Sequence, residues 1–79
     1  MISKYVAKAL QRAEYTRIDR GQWSATVRGL RGVIAVGAGV EECRRELAEI
    51  VEEWVLVRIA RDLPVPRLGG VTIRVRRAG

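Results

Sequence analysis

Between Val40 and Arg61 the sequence keeps one unbroken helical period, in which Val40, Cys43, Leu47, Ile50, Trp54, Val57 and Arg61 step by three and four along one side. The chain has only 79 residues. A chain of this size buries only about 60% of its unfolded surface and has one core, so a single domain, residues 1–79, must be built around this helix. Glu41 and Glu42 in the first turn and Arg58 and Arg61 in the last suit the two ends of the macrodipole. Asp62-Leu63-Pro64-Val65-Pro66 stops the helix, because proline lacks a backbone donor and pushes its predecessor towards extended conformations. The half Trp54-Val55-Leu56-Val57-Arg58-Ile59 is apolar almost all round. A helix packed on a sheet cannot turn every face inward, so a subunit contact is expected at Val55, Leu56 and Ile59.

The remaining segments supply a second layer. Ile2, Tyr5, Val6, Ala9, Leu10 and Ala13 fall at helical spacing opposite Lys4, Lys8, Gln11 and Arg12, which predicts a short amphipathic helix over Ile2 to Gln11. Glu14 to Ile18, the turn signal Asp19-Arg20-Gly21, and the alternation of Trp23, Ala25 and Val27 through Gln22 to Arg28 predict a β-hairpin. Val33-Ile34-Ala35-Val36, bounded by glycines, is an apolar run of the kind found in a central or fully covered strand. Gly70 to Arg76 alternates Val71, Ile73 and Val75 against Thr72, Arg74 and Arg76, which predicts a last strand with an arginine-bearing face. The expected class is therefore α+β in the order α-β-β-β-α-β: an antiparallel three-stranded meander plus a final strand, packed on one long helix.

Composition limits the chemistry. With 48% hydrophobic and 30% charged residues the chain is expected to fold as a globule. It contains no histidine and a single cysteine, Cys43, which removes imidazole catalysis, His-ligated metals, a Cys-rich zinc site and an internal disulfide. The lone thiol, on the apolar helix side, is expected to pack in the core. No run approaches the roughly 20 apolar residues of a membrane span, and the N-terminal segment lacks the plan of a signal peptide. A reducing, cytoplasmic location is expected. Apart from Glu14, Asp19 and Asp62, every carboxylate lies on the long helix, as a polar face and not as a metal-binding set of the ribonuclease H-like nuclease kind. Gly37-Ala38-Gly39 leads from a strand into a helix as phosphate loops do, but lacks their further residues. Gly39 is expected to be a plain N-cap, and Trp23 and Trp54 core aromatics. No cofactor and no catalytic group are expected.

The formal charge of +6 is unevenly spread. Residues 1–39 hold seven basic and two acidic residues, residues 40–63 four and seven, and residues 64–79 four and none. The result is two basic ends around an acidic helix. Lys4, Lys8, Arg12, Arg74, Arg76 and Arg77 could serve nucleic-acid contact, and equally a soluble surface.

The order of Ala13-Glu14-Tyr15, Asp19-Arg20-Gly21-Gln22-Trp23, Val27-Arg28-Gly29-Leu30-Arg31-Gly32-Val33, Ala35-Val36-Gly37, Glu41-Glu42-Cys43, Glu52-Glu53-Trp54 and Pro64-Val65-Pro66 resembles the HicB family of antitoxins, from about Tyr5 to Val75. The resemblance implies a partly degraded ribonuclease H-like fold like the HicB N-terminal domain. It also implies a non-enzymatic protein of a type II toxin-antitoxin system that binds and neutralises a small HicA-type RNA-cleaving toxin, as a dimer or tetramer. The alternative is a small basic nucleic-acid-binding or regulatory protein acting as an oligomer. Arg17, Arg28, Arg31, Arg74 and Arg76 are the expected toxin or nucleic-acid contacts. The family often has prolines on either side of the Leu30 position and Ser or Thr at Gly39, which this chain lacks. Full-length members frequently append a DNA-binding domain after the prolines; with Arg67 to Gly79 remaining, a compact form without one is expected.

Overall fold

The computed structural model describes residues 2–73. Its elements are α1 (Ile2–Gln11), β1 (Ala13–Arg17), a single 3-10 turn (Asp19–Gly21), β2 (Trp23–Val27), β3 (Ile34–Gly37) and α2 (Val40–Ala60). The three strands form one antiparallel sheet in the order β1-β2-β3. Ala13 faces Val27 and Arg17 faces Trp23 across the hairpin, while Trp23 faces Gly37 and Thr26 faces Ile34 across the second pairing. The α+β class and the order of helix, meander and long helix are those expected from the sequence.

Alternation sorts the strands into two faces. Ala25, Val27 and Ala35 are buried against α2, whereas Glu14, Thr26, Ile34 and Val36 face outward. The helix seats on β2 and β3, and α1 packs on α2. The seam of α2 follows every fourth residue, Cys43, Leu47, Val51 and Val55. Val57, expected on the inner side, is instead exposed. The Cys43 thiol donates to the Trp23 carbonyl at 3.1 Å, tying α2 to the central strand.

Both ends of α2 have a local cause. Gly39 is its N-cap and offers no side chain; the Glu42 carboxylate in the first turn accepts from the Ala38 amide at 3.0 Å instead. Gly37 permits the close approach of strand and helix, since a Cβ there would stand 3.1 Å from the Cys43 amide nitrogen. At the other end Asp62 turns left-handed with φ 61°, the Leu63 amide donates to the Arg58 carbonyl at 2.7 Å, and the Asp62 amide donates to Ile59 at 3.1 Å. This pair of bonds is a Schellman closure, which ends the helix one residue before the expected Arg61.

Two expectations about strands are corrected. β3 lies at the sheet edge and β2 at the centre, and because α2 packs on one face of the sheet the alternate residues of the apolar run are left open on the other: Ile34 is 54% and Val36 46% exposed. The described part of the expected last strand adds nothing to the sheet. Gly69 and Gly70 both take positive φ, which reverses the chain and bridges Val71 back to Leu68. Residues 74–79 of that expected strand lie outside the described residues.

Candidate functional site

The connection from β2 to β3 is two turns in series. The Leu30 amide donates to Val27 and the Val33 amide to Leu30, at 3.1 and 3.3 Å, and Gly29 and Gly32 take the positive φ that the third position of each turn requires. Leu30 and Val33 are buried and pin the loop to the core. Arg28 and Arg31 occupy equivalent second positions and are exposed.

Arg31 leans over a cleft of about 530 Å³ whose other walls are Val27, Gly29, Leu30, Pro66 and, from α2, Trp54 and Arg58. Trp54 and Arg58 are one helical turn apart. The guanidinium carbon of Arg58 stands 4.7 Å from the centre of the Trp54 ring, a cation–π contact. Its Nε also donates to the Pro64 carbonyl at 2.6 Å. The segment after α2 is thereby strapped beside the cleft, with Pro66 as one wall, and the Tyr5 hydroxyl of α1 fastens it a second time by donating to the Pro66 carbonyl.

Burial holds the Tyr5 hydroxyl above the ordinary tyrosine value of 10.0, an effect partly offset by the positive charge of Arg58. A raised folded-state value means that the unfolded chain loses this proton first as pH rises. The contribution is complete below pH 10.0 and is lost as pH climbs through that value towards the folded one. Urea midpoints measured across this range are expected to fall for the wild type and to fall less for Tyr5→Phe.

The structure separates the residues singled out in the sequence. Of the expected subunit contacts, Val55 is 0% exposed and belongs to the core, Ile59 is half-buried against it, and Leu56 stays open at 46%. Val55 is therefore withdrawn as a contact residue. Of the expected partner contacts, Arg31 lines the cleft, while Arg28 borders a separate hollow of about 280 Å³ with Arg12 and Glu14. Arg17 stands at the opposite end of the hairpin, beside Trp23 in the register. Arg74 and Arg76 lie outside the described residues. Sequence reasoning missed Trp54 and Arg58 as site residues, although their spacing of four was the available signal. It also did not place β3 at an edge of the sheet.

On its outer side α2 carries Glu49, Glu52 and Glu53 around a hollow of about 310 Å³, with Leu56 and Val57 exposed on the same helix. Among the described residues no group of three or more His, Cys, Asp or Glu is placed to hold a metal ion. No described helix is long and apolar enough to cross a membrane.

The family model described as UPF0150-like matches residues 4–66, from α1 through the strap at Pro66. The chain belongs to this family. Its fold is similar to the crystal structure of TTHA0281 from Thermus thermophilus, with a TM-score of 0.88 and 30% sequence identity over 96% of this chain and 95% of that one. No curated protein is similar enough to match. Both the UPF0150-like match and the structural likeness take in the β2–β3 loop, α2 and the strap, so the cleft belongs to the shared part of the chain.

Proposed function

We propose that this UPF0150-like protein is a non-enzymatic binding protein of antitoxin type, similar to HicB, which neutralises a small HicA-type RNA-cleaving toxin by covering it. The observation that carries the reading is the UPF0150-like family match over residues 4–66, taken together with the motif order that resembles HicB. The acidic outer face of α2 supports it. A toxin that handles RNA presents positive charge, and Glu49, Glu52 and Glu53 beside exposed Leu56 and Val57 offer that charge a match despite the chain's net +6. Co-expression with the product of the adjacent small reading frame tests the reading. Growth rescue and co-purification are expected, and a toxin that stays lethal and unbound would count against it.

In this reading the protein works as an oligomer in the cytoplasm, with a second copy paired along β3. Among the described residues no strand pairs with the outer edge of β3, and such an edge is a template for another strand. The run from Gly32 to Val40 that contains β3 holds no charged residue, so two copies of a +6 chain can meet there without repulsion. Sedimentation is expected to give a mass above the 8.8 kDa monomer, and Ile34→Lys to reduce it to that value. A native monomer would contradict the pairing.

A further inference from the structure

We propose that the cleft between the β2–β3 loop and α2 receives one carboxylate side chain, flanked by apolar neighbours, from a partner protein. This goes beyond the antitoxin reading, since it concerns the chemistry of the segment bound and holds for a partner of any activity. The cleft's volume of about 530 Å³ accommodates a short side-chain cluster. Two guanidiniums, Arg31 and Arg58, line it, and among the described residues no carboxylate does. Its other side-chain walls, Val27, Leu30, Trp54 and Pro66, are apolar or aromatic.

Arg58 is already positioned by the Pro64 carbonyl at 2.6 Å and by the Trp54 ring at 4.7 Å, so little of its side-chain freedom remains to be lost on binding. A guanidinium so held suits the planar, forked geometry of a carboxylate. The double turn anchored by Leu30 and Val33 places Arg31 at the same cleft.

A nucleic acid fits this place less well, for two reasons. Arg58 already stacks against the Trp54 ring, which leaves less of that ring for a base. The acidic hollow of Glu49, Glu52 and Glu53 lies on the same helix, and Glu53 directly precedes Trp54. A chain of phosphates running along α2 would meet these carboxylates, whereas a single carboxylate seated at Arg31 and Arg58 need not.

The experiment is an NMR titration of the full chain with three probes: a blocked Leu-Glu-Leu peptide, its Leu-Gln-Leu counterpart and a short oligothymidylate. The reporter is the indole N–H of Trp54, with that of Trp23, which does not line the cleft, as internal control. The glutamate peptide is expected to shift the Trp54 signal saturably and leave Trp23 in place, with the glutamine peptide giving no saturable shift. Arg31→Ala, on an exposed loop residue, is expected to keep a dispersed spectrum and weaken the glutamate peptide about fivefold or more. An equal response to both peptides, no response at Trp54, unchanged affinity in folded Arg31→Ala, or a stronger Trp54 response to oligothymidylate would each overturn the proposal. Because no toxin enters the titration, its outcome is independent of whether co-expression rescues growth.

Discussion

Replacing Leu47 by alanine is expected to lower the free energy of unfolding by about 3 kcal/mol. Leu47 is wholly buried at the middle of the α2 seam, between Cys43 and Val51, in the same core cluster as the inner residues of the sheet. Removing its branched end takes away apolar contact and leaves a cavity, since α2 is held against the sheet on either side of Leu47 by the buried Cys43, whose thiol donates to the Trp23 carbonyl, and by buried Val51 and Val55, and cannot readily sink into the gap. The loss is large relative to the total. Small domains are stable by roughly 5–10 kcal/mol, and with one cysteine this chain has no internal disulfide to compensate. Urea unfolding followed by circular dichroism measures it, with Leu47→Met as the control, expected to cost less than about 1.5 kcal/mol. A Leu47→Ala loss below about 1 kcal/mol would mean that α2 is not seated on the sheet as described.

The second large effect is expected at Tyr5. This side chain fills the space where α1 packs on α2, and its hydroxyl fastens the strap through Pro66. Tyr5→Ala removes both roles and is expected to cost about 4 kcal/mol. Tyr5→Phe keeps the ring and removes the bond alone, for about 1 kcal/mol. The interval between the two variants in parallel unfolding curves separates packing from tethering. Equal losses would show that the hydroxyl bond, and not the ring, holds α1 in place.

The helices and the hairpin were legible because their signals are local. Ile2, Tyr5, Val6 and Ala9 declare the inner side of α1 by spacing alone, and Asp19-Arg20-Gly21 declares the turn; Arg20 and Gly21 do adopt positive φ there. The orientation of α2 was less legible. Val55, Leu56 and Val57 are three consecutive apolar residues, and only the positions of the sheet and α1 decide that Val55 points inward while Leu56 and Val57 face out. The apolar run of β3 resembles a covered strand in composition, yet its edge position depends on which strands pair, which the run itself does not encode. At the C-terminal end the alternation of Val71 and Ile73 is present, but the Gly69-Gly70 reversal sends Val71 back to Leu68.

The candidate site divides in the same way. Arg31 could be singled out as a basic loop residue, but not its company. The pairing of Trp54 with Arg58 is a local spacing that served equally well to explain a core aromatic and a charge at a helix end. Its meeting with Arg31 depends on the packing of the β2–β3 loop beside α2, and the strap whose Pro66 forms one wall of the cleft depends on Tyr5, far away in sequence. The two basic ends and the acidic helix are likewise visible in the sequence, while the separation of an acidic outer face from an arginine-lined cleft on the same helix requires the fold.

The most direct test of the antitoxin reading is RNA cleavage by the purified product of the adjacent reading frame, measured while this protein is added in increasing amounts. Cleavage is expected to fall in proportion to the added chain and to stop near equimolar protein, as occlusion by tight binding requires. Cleavage that continues unchanged in the presence of excess folded protein would contradict it.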